Sequence, residues 1–377
     1  MGWEKELANS ITSPEELSSY LNLSPGEQRG IEEVVKLHPM RIPRYYLNLI
    51  DPKDPYDPIR KLIVPSIAEL STEGEYDTSG EQENTKGPGL QHKYAQTALV
   101  LATNQCAAYC RHCFRKRLVG LPNREILNRF DDAARYIEQH HEITNVLISG
   151  GDPFVLRTEV IRGFLSRLDT IPHLQFIRFG TRTPATFPQR ITRDSSLTTL
   201  LKEYSRPDRR LYVITHFNHP RELTQEAREA AARIQDAGVL MYNQAVLLRG
   251  VNDSSVVLSD LLNKLVGSGI TPYYVFQCRP VKRVKEQFQV PFSEGIPIIE
   301  GARARCSGPS KGFTFAMSHR LGKIQILGLR DDEIFFKFHE AKHPVDAGRF
   351  FSRRLLKGAG WLDDLTEESE RSTNPLS

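Results

Sequence analysis

Short hydrophobic segments alternate with longer amphipathic segments through the middle of the chain. The short segments are rich in β-branched and aromatic residues, and they predict six strands at residues 97–103, 145–149, 176–180, 211–217, 240–248 and 272–277. The amphipathic segments predict helices at roughly 124–140, 156–168, 194–204, 220–237 and 255–268. This alternation predicts an α/β fold with a parallel sheet, either open or curled into a six-stranded partial barrel. In both architectures, ligands bind at the carboxyl ends of the strands.

The two ends of the chain follow other patterns. Ser13 and Ser24 each precede a proline and acidic residues, which predicts capped helices near the start. The stretch 71–89 is rich in Gly, Ser, Thr and Glu and predicts an exposed loop or linker. Beyond residue 312, three short segments (313–318, 323–329 and 333–338) predict an antiparallel meander, and the last dozen residues are expected to be disordered. We therefore expect an N-terminal helical region with linker at 1–90, a core at 91–305, and a C-terminal meander and tail at 306–377.

Composition excludes several classes of protein. Charged residues make up 25% and hydrophobic residues 39% of the 377 positions, close to the globular average, which excludes a fibrous or wholly disordered chain. No run of 18 apolar residues occurs, and the first residues lack the apolar core of a signal peptide, so we expect a soluble, cytoplasmic protein without a membrane anchor. The net charge of +4 is slight, and the basic runs at 115–117 and 279–285 are typical of solvated faces, so binding of nucleic acid is not indicated.

Three of the five cysteines lie close together, immediately after the first core strand. Cys106, Cys110 and Cys113 have the spacing C-x3-C-x2-C, which can place three thiolates on a [4Fe–4S] cluster. The fourth iron would then be open to a small molecule with amino and carboxylate groups, such as S-adenosylmethionine (SAM). A structural zinc site and three inert buried thiols are the alternatives, although zinc sites more often use paired C-x2-C motifs. Cys278 and Cys306 stand alone and are expected to pack as small hydrophobic residues.

Five ordered motifs between about residues 30 and 345 carry a family resemblance. They read CAAYCRHCFRKR, ISGGDPF, FGTRTP, ITHFNHPRE and NQAVLLRGVND. Together they resemble the radical SAM superfamily and, within it, the lysine 2,3-aminomutase branch. The resemblance implies a partial (β/α)6 barrel with an N-terminal helical extension and small C-terminal strands. It also implies an enzyme of the isomerase class that cleaves SAM to a 5′-deoxyadenosyl radical, which abstracts hydrogen from a substrate.

The motif after the second core strand is expected to bind SAM. Gly150 and Gly151 allow the backbone to approach a ligand closely, and Asp152 follows them. By resemblance, this motif receives the amino group of SAM. A tight turn capped by Asp152 is the structural alternative.

Polar residues at the ends of later strands are further candidates for cofactor binding. By resemblance, His216 and Gln244 contact SAM, and Asn218 is included with them. His219 could instead cap the next helix. Arg182 ends the third core strand, where it could bind a carboxylate, line the site, or lie on the surface.

Two arginines are candidates for substrate binding. Arg115 matches a family arginine that pairs with the substrate carboxylate; the alternative is a solvated member of a basic run. Arg279 stands where lysine-specific enzymes of the family have an aspartate. With Lys282 and Arg283 beside it, Arg279 would repel lysine and suit a carboxylate or phosphate on a different substrate.

The aminomutase branch also uses pyridoxal phosphate (PLP), which a lysine in a Gly-rich loop holds as an imine. That loop is missing here, and Lys311 is the nearest candidate. Lys93 and Tyr94 could serve the PLP phosphate, but Thr97 replaces a family arginine and Phe276 a tyrosine. PLP is therefore doubtful, and two functions stay open. One is a PLP-independent radical reaction on an acidic or larger substrate, and the other is a PLP-dependent 2,3-aminomutase acting on an amino acid other than lysine.

Other classes fit the motifs less well. A non-enzymatic iron–sulfur protein would not need the Gly-Gly-Asp-Pro motif with His216 and Gln244. A nucleic-acid-modifying enzyme would be expected to carry stacking aromatic motifs, which we do not find. The resemblance further implies a small-molecule substrate, an electron donor such as flavodoxin or ferredoxin, and the capacity to form homo-oligomers.

Overall fold

A computed structural model describes residues 2–365, and within them twelve strands form one sheet in chain order. The strands are β1 (Thr85–Gly87), β2 (Leu90–Tyr94), β3 (Thr97–Thr103), β4 (Asn145–Gly150), β5 (Phe176–Gly180), β6 (Arg210–Thr215), β7 (Leu240–Leu247), β8 (Thr271–Gln277), β9 (Thr314–His319), β10 (Gly322–Arg330), β11 (Glu333–Ala341) and β12 (Phe350–Arg354). Strands β3 to β8 are the six predicted core strands, and each pairs in parallel with the next. The α/β prediction is therefore confirmed.

The helices of the core lie between these strands. In chain order the α-helices are α1 (Trp3–Ala8), α2 (Pro14–Ser18), α3 (Pro25–Val35), α4 (Arg44–Leu47), α5 (Pro58–Ile63), α6 (Phe130–Gln139), α7 (Thr158–Asp169), α8 (Thr183–Thr186), α9 (Gln189–Thr192), α10 (Ser195–Tyr204), α11 (Gln225–Asp236), α12 (Ser255–Gly267), α13 (Lys285–Phe288) and α14 (Phe292–Arg305). The predicted capping residues Ser13 and Ser24 do begin α2 and α3, because each side chain accepts a hydrogen bond from a backbone N–H three residues on.

The C-terminal strands β9, β10 and β11 form the predicted antiparallel meander, with two additions to it. Strand β9 pairs in parallel with β8, with Tyr274 opposite Thr314, so it extends the core sheet. Strands β10, β11 and β12 then follow in antiparallel order, and β12 was not predicted. Hydrophobic alternation identifies a strand but carries no information on the direction of its partner, so the parallel pairing of β9 with β8 was not predicted.

The core sheet wraps around an interior that its strands share. Apolar residues of the strands, such as Val146 and Ile148, and of the helices, such as Leu165 and Leu262, form the main hydrophobic core. A second cluster packs the N-terminal helices onto loops at the carboxyl ends of the strands, with Leu62 and Leu248 among its members. The N-terminal region therefore covers the end of the barrel at which ligands are expected.

The predicted linker at 71–89 is only partly exposed, so that expectation was wrong for its centre. Thr78, Ser79, Glu81 and Asn84 are buried. The Glu81 carboxylate is the reason, because it forms ion pairs that hold the segment against the core. A segment rich in polar residues is buried here through paired charges, which composition does not reveal.

The open side of the barrel is covered by the turn between β9 and β10. The ammonium of Lys93 on β2 donates a hydrogen bond to the carbonyl of His319 at 2.5 Å. Nearby, Arg320 pairs with Glu75 at 3.2 Å. Strand β2 and the segment before β1 therefore meet the β9–β10 turn, and together they enclose the barrel interior from the side.

The expected disordered tail at 366–377 lies outside the described residues. Across residues 2–365, no helix has both the length and the apolar character needed to cross a membrane.

Candidate active site

The loop that follows β3 carries Cys106, Cys110 and Cys113, and we call it the cysteine loop. It opens into a cavity at the carboxyl ends of the core strands. Cys106, Cys110 and Cys113 all line this cavity, whose volume is about 330 Å³. We call it the reaction cavity. Its other lining residues include most of the predicted site, namely Arg115, Gly150, Gly151, Asp152, Arg182, His216, Gln244 and Arg279. The topology therefore brings these residues together from separate segments of sequence.

The two glycines after β4 are required by the cysteine loop itself. A Cβ on Gly150, whose φ is +110°, would lie 2.5 Å from the carbonyl oxygen of Thr103. A Cβ on Gly151 would lie 2.3 Å from the carbonyl oxygen of Gln105. Both distances are far below van der Waals contact, so the backbone preceding Cys106 can lie here only against glycine.

Asp152 is buried and acts as a structural cap. Its carboxylate accepts hydrogen bonds from the N–H of Phe154 at 3.0 Å, the hydroxyl of Thr181 at 2.6 Å and the N–H of Arg182 at 2.7 Å. The structural alternative for Asp152 is therefore present in the fold, although the side chain also lines the reaction cavity.

The buried carboxylate of Glu69 anchors the cysteine loop. Glu69 accepts hydrogen bonds from Arg111 at 2.6 and 2.8 Å and from Lys116 at 2.6 Å. Arg111 and Lys116 lie on either side of Cys113 in sequence, so one carboxylate fixes both arms of the loop. Burial alone would raise the pKa of Glu69, but the two cations lower it to about 2, so the carboxylate is charged.

The guanidinium of Arg182 is fully engaged at the cysteine loop. It donates hydrogen bonds to the carbonyl of His216 at 3.0 Å, the sulfur of Cys110 at 2.6 Å, the hydroxyl of Tyr46 at 3.0 Å and the carboxylate of Glu222 at 2.6 Å. The surface alternative for Arg182 is therefore wrong. With its hydrogen-bond capacity used in this way, Arg182 supports a thiol and is not arranged to bind a free carboxylate.

The polar residues after β6 separate into two groups. His216 and Gln244 line the reaction cavity, and burial, with Arg182 nearby, lowers the pKa of His216 to about 4, so its ring is neutral. Asn218 is completely buried and is not among the residues that line the reaction cavity. Its side-chain oxygen accepts a hydrogen bond from the backbone N–H of Val246 at 2.8 Å. His219 caps the following turn, as its alternative predicted. In this structure Asn218 therefore supports the wall of the cavity, contrary to the expectation that it faces the cofactor.

The two predicted substrate arginines differ in how their charges are compensated. Arg115 pairs with Glu81 at 3.0 Å and donates to the Ser149 hydroxyl at 3.2 Å. Arg279 donates to the Ser79 hydroxyl at 2.7 Å and forms no ion pair with any residue in 2–365. Burial lowers the pKa of Arg279 to about 10, which is still far above neutrality. Arg279 therefore faces the reaction cavity without an ion-pair partner among residues 2–365, and the nearby carboxylates of Glu81 and Asp77 offset only part of its charge.

Lys311 does not fit the role of a residue that holds PLP. It lies exposed on the turn Pro309–Lys311 and is not part of the cavity lining. The cavity lysines are Lys93 and Lys323, and Lys323 pairs with Glu340 at 2.9 Å. Lys93 has only carbonyl partners, and burial together with Arg279 lowers its pKa to about 7.

Two carboxylates that shape the site were not predicted from sequence. Glu81 lies in a stretch whose composition resembles a linker, and nothing in the sequence around it indicates that it is buried in the site. Glu69 closes a capping box with Ser66, which is a readable helix-start motif but does not reveal its partners on the cysteine loop.

The thiols fit an iron–sulfur cluster by their chemistry and setting. All three thiols are free, and all three line the same cavity. Arg182 and Lys116 place positive charge beside the loop, which offsets the negative charge of a thiolate-bound cluster. Among residues 2–365, no three His, Cys, Asp or Glu side chains converge as ligands of a single metal ion would.

Comparison with known proteins shows similarity to one superfamily and to enzymes within it. Residues 100–261 match the family model described as the radical SAM superfamily. L-lysine 2,3-aminomutase of Clostridium subterminale is 41% identical over 309 residues, covering 81% of this chain and 73% of that protein. Glutamate 2,3-aminomutase of Clostridioides difficile (strain 630) is 38% identical over 305 residues, covering 80% and 71% respectively.

Solved structures are more distant. Histidine-tagged anSMEcpe with bound AdoMet has a TM-score of 0.43 and 12% identity, covering 55% of this chain and 56% of that one. A radical SAM methyltransferase from Sphaerobacter thermophilus has a TM-score of 0.37 and 17% identity, covering 60% and 68%.

Sequence identity above 30% over most of both chains establishes the family. The predicted family membership, the predicted α/β fold and the prediction that the protein is an enzyme are confirmed. Enzymes of this superfamily use SAM and an iron–sulfur cluster and need a reductant, and the two relatives named above are aminomutases of lysine and of glutamate. The chain belongs to the lysine 2,3-aminomutase-like family of the radical SAM superfamily.

Proposed function

We propose that Cys106, Cys110 and Cys113 hold a [4Fe–4S] cluster and that the enzyme cleaves SAM to methionine and a 5′-deoxyadenosyl radical. The radical abstracts hydrogen from a carboxylate- or phosphate-bearing substrate without help from PLP. The observation that supports this proposal most is the shared cavity, in which three thiols and Arg279, which forms no ion pair within residues 2–365, face the same space. A reduced cluster supplies the electron that breaks the sulfonium bond of SAM.

The chain contributes ligands and hydrogen-bonding partners to this chemistry. Arg182 and the Glu69 anchor hold the cysteine loop in place, and neutral His216 can accept or donate one hydrogen bond to SAM. Gln244 offers a side-chain amide from the adjacent strand. These residues position SAM and take no part in breaking its bond.

Arg279 determines the class of substrate in this proposal. Its guanidinium lies 4.1 Å above the ring of Phe114, which fixes its direction without neutralising it. An ammonium group placed beside it would be repelled, whereas a carboxylate or phosphate can receive two parallel hydrogen bonds. Arg115 can add a second contact, although Glu81 already takes much of its charge.

Substrate-stimulated cleavage of SAM tests the charge assignment. We would reconstitute the enzyme anaerobically, add dithionite, and compare formation of 5′-deoxyadenosine with lysine, glutamate and phosphoserine. We expect an anionic compound to stimulate cleavage, and Arg279→Met to raise its KM by about tenfold or more. Arg162→Met, on an exposed pair with Glu203, is the matched control and should leave KM unchanged. Lysine as the best trigger would refute the proposal.

Lys93 supports a second candidate function, a PLP-dependent 2,3-aminomutase. An aldehyde reacts with an uncharged amine, and the pKa of about 7 leaves much of Lys93 uncharged at neutral pH. Incubation with PLP, reduction with borohydride and peptide mass mapping would test this. One stoichiometric adduct on Lys93, absent in Lys93→Met, would favour the aminomutase. No specific adduct would favour the PLP-independent reaction.

We further propose that the reductant is a flavodoxin or ferredoxin and that the enzyme works in the cytoplasm. Self-association stays a prediction. Nucleic acid is not proposed as a substrate, because the three basic residues at 115–117 form ion pairs with carboxylates of the site.

A further inference from the structure

A second cavity lies at the opposite end of the barrel from the cysteines. Its volume is about 650 Å³, and its walls come from the first residues of the parallel strands, including Thr97, Asn145 and Phe176. The segment after β11, at residues 341–348, forms its rim. We call it the amino-end cavity, and no residue of the proposed SAM site lines it.

Four aromatic rings form one continuous wall of this cavity. Phe176, Tyr212, Tyr242 and Tyr273 lie on four successive strands, β5 to β8, and all four are half-buried. Their neighbouring ring centroids are 5.3, 5.8 and 5.5 Å apart, the range of aromatic pairs in contact. At this level a closed barrel would be filled by branched aliphatic side chains, whereas here flat rings surround open space.

The amino-end cavity and the reaction cavity share a common floor. Five residues line both cavities: Tyr94, Thr97, Arg178, Ile214 and Glu340. The two cavities therefore adjoin each other inside the barrel and are separated by a single layer of side chains.

Arg178 is the cation of that shared layer, and its bonding is incomplete. One terminal nitrogen donates to the side-chain oxygen of Asn145 at 2.5 Å, but the Nε is buried without a hydrogen-bond partner. No ion pair to Arg178 occurs within residues 2–365. Glu340, the carboxylate of the same layer, is already bound to Lys323 at 2.9 Å. A buried guanidinium N–H without an acceptor is costly, and an acceptor on a ligand would remove the cost.

We propose that the amino-end cavity is a subsite for the far end of the substrate, which carries an aromatic ring next to a carboxylate. The ring packs on the tyrosine wall, and the carboxylate binds Arg178. This rests on the proposed function, because the other end of the same molecule lies beside Arg279 and the SAM site. A substrate that reaches both arginines is larger than a single amino acid.

Binding of simple probes to the full-length reconstituted enzyme tests the subsite. We would measure 3-phenylpropionate, 3-cyclohexylpropionate and 3-phenylpropylammonium by isothermal titration calorimetry. The proposal predicts that 3-phenylpropionate binds most tightly, since the saturated probe lacks the flat ring and the ammonium probe is repelled by Arg178. Equal affinities for the three probes, or no binding at millimolar concentrations, would overturn it.

Two variants locate the binding. Tyr212→Leu and Tyr242→Leu should each weaken 3-phenylpropionate by roughly three- to tenfold, the worth of one aromatic contact. Tyr56→Leu is the matched control, since Tyr56 is 86% exposed and outside both cavities. Unchanged affinity in both cavity variants would also overturn the proposal. These variants keep Arg178 and its hydrogen bond to Asn145, so the test does not depend on a substitution in the buried layer.

Dithionite-driven cleavage of SAM, measured without substrate on the same preparations, separates the two levels of inference. If the wild-type enzyme cleaves SAM but 3-phenylpropionate does not bind, only the subsite fails. If SAM is not cleaved, the proposed function fails, whether or not the three probes bind.

Discussion

Replacing Glu69 by glutamine should destabilise the apo chain strongly. The carboxylate is fully buried, and its partners Arg111 and Lys116 have only 2% and 4% of their side chains exposed. A carboxyl whose pKa falls from 4.5 to about 2 on folding stabilises the folded state by about 3 kcal/mol at neutral pH. A second estimate of the same interaction agrees, because removing one partner of a buried ion pair typically costs about 3–5 kcal/mol. We therefore expect a loss of about 3 kcal/mol in the free energy of unfolding.

Urea unfolding measures this effect. Circular dichroism and tryptophan fluorescence should be followed together, because their coincidence shows that a single transition is being measured. Glu203→Gln is the matched control, since its exposed pair with Arg162 should be worth less than about 1 kcal/mol. Lys116→Met added to Glu69→Gln should recover part of the loss. If Glu69→Gln were no more destabilising than Glu203→Gln, the anchoring role would be wrong.

Two further predictions concern the site and its pH dependence. Gly151→Ala should abolish cluster binding, because the new Cβ would lie 2.3 Å from the backbone oxygen of Gln105; iron and sulfide per chain measure this. Gly163→Ala is the control and should bind a full cluster, because a Cβ at Gly163 would have no atom within 4 Å. Burial opposes the charge on Glu69 and Glu81, yet cationic partners lower the pKa of each to about 2, so the stability they confer is complete above pH 4.5 and lost as the pH falls towards 2. Urea titrations at several pH values should show this acid limb, and a shallower one in Glu69→Gln; a limb of equal steepness in both proteins would contradict the assignment.

The arrangement of the core could be predicted because its signals are local. Each parallel strand is a short run of β-branched and aromatic residues between helical segments, and periodicity reports that directly. The cysteine spacing and the glycines of Gly150-Gly151 are also local, and the structure places both sets in one cavity. Strand direction is not local, which is why the parallel pairing of β9 was missed.

The charged residues of the site show where sequence reasoning fails. Arg182 reads as a free cation, but its role is set by Glu222 and Tyr46, which are 40 and 136 positions away. Glu81 is buried because two arginines meet it in space. Lys311 is close in sequence to the expected PLP lysine yet lies outside the cavity, whereas Lys93 reaches the cavity from β2. Long-range charge pairing decides the first two cases and strand topology the third, and composition contains no trace of either.

The most direct test of the account is SAM cleavage by the reconstituted enzyme under anaerobic conditions. Iron and sulfide content, the electron paramagnetic resonance spectrum after dithionite, and formation of 5′-deoxyadenosine should be measured for wild type, Cys110→Ala and Cys306→Ala. The account predicts about four irons per chain and SAM cleavage in wild type and in Cys306→Ala, because Cys306 is buried and does not line the reaction cavity. Cys110→Ala should stay folded and lose both cluster and cleavage. One zinc per chain with no cleavage of SAM, or full cleavage by Cys110→Ala, would contradict the account.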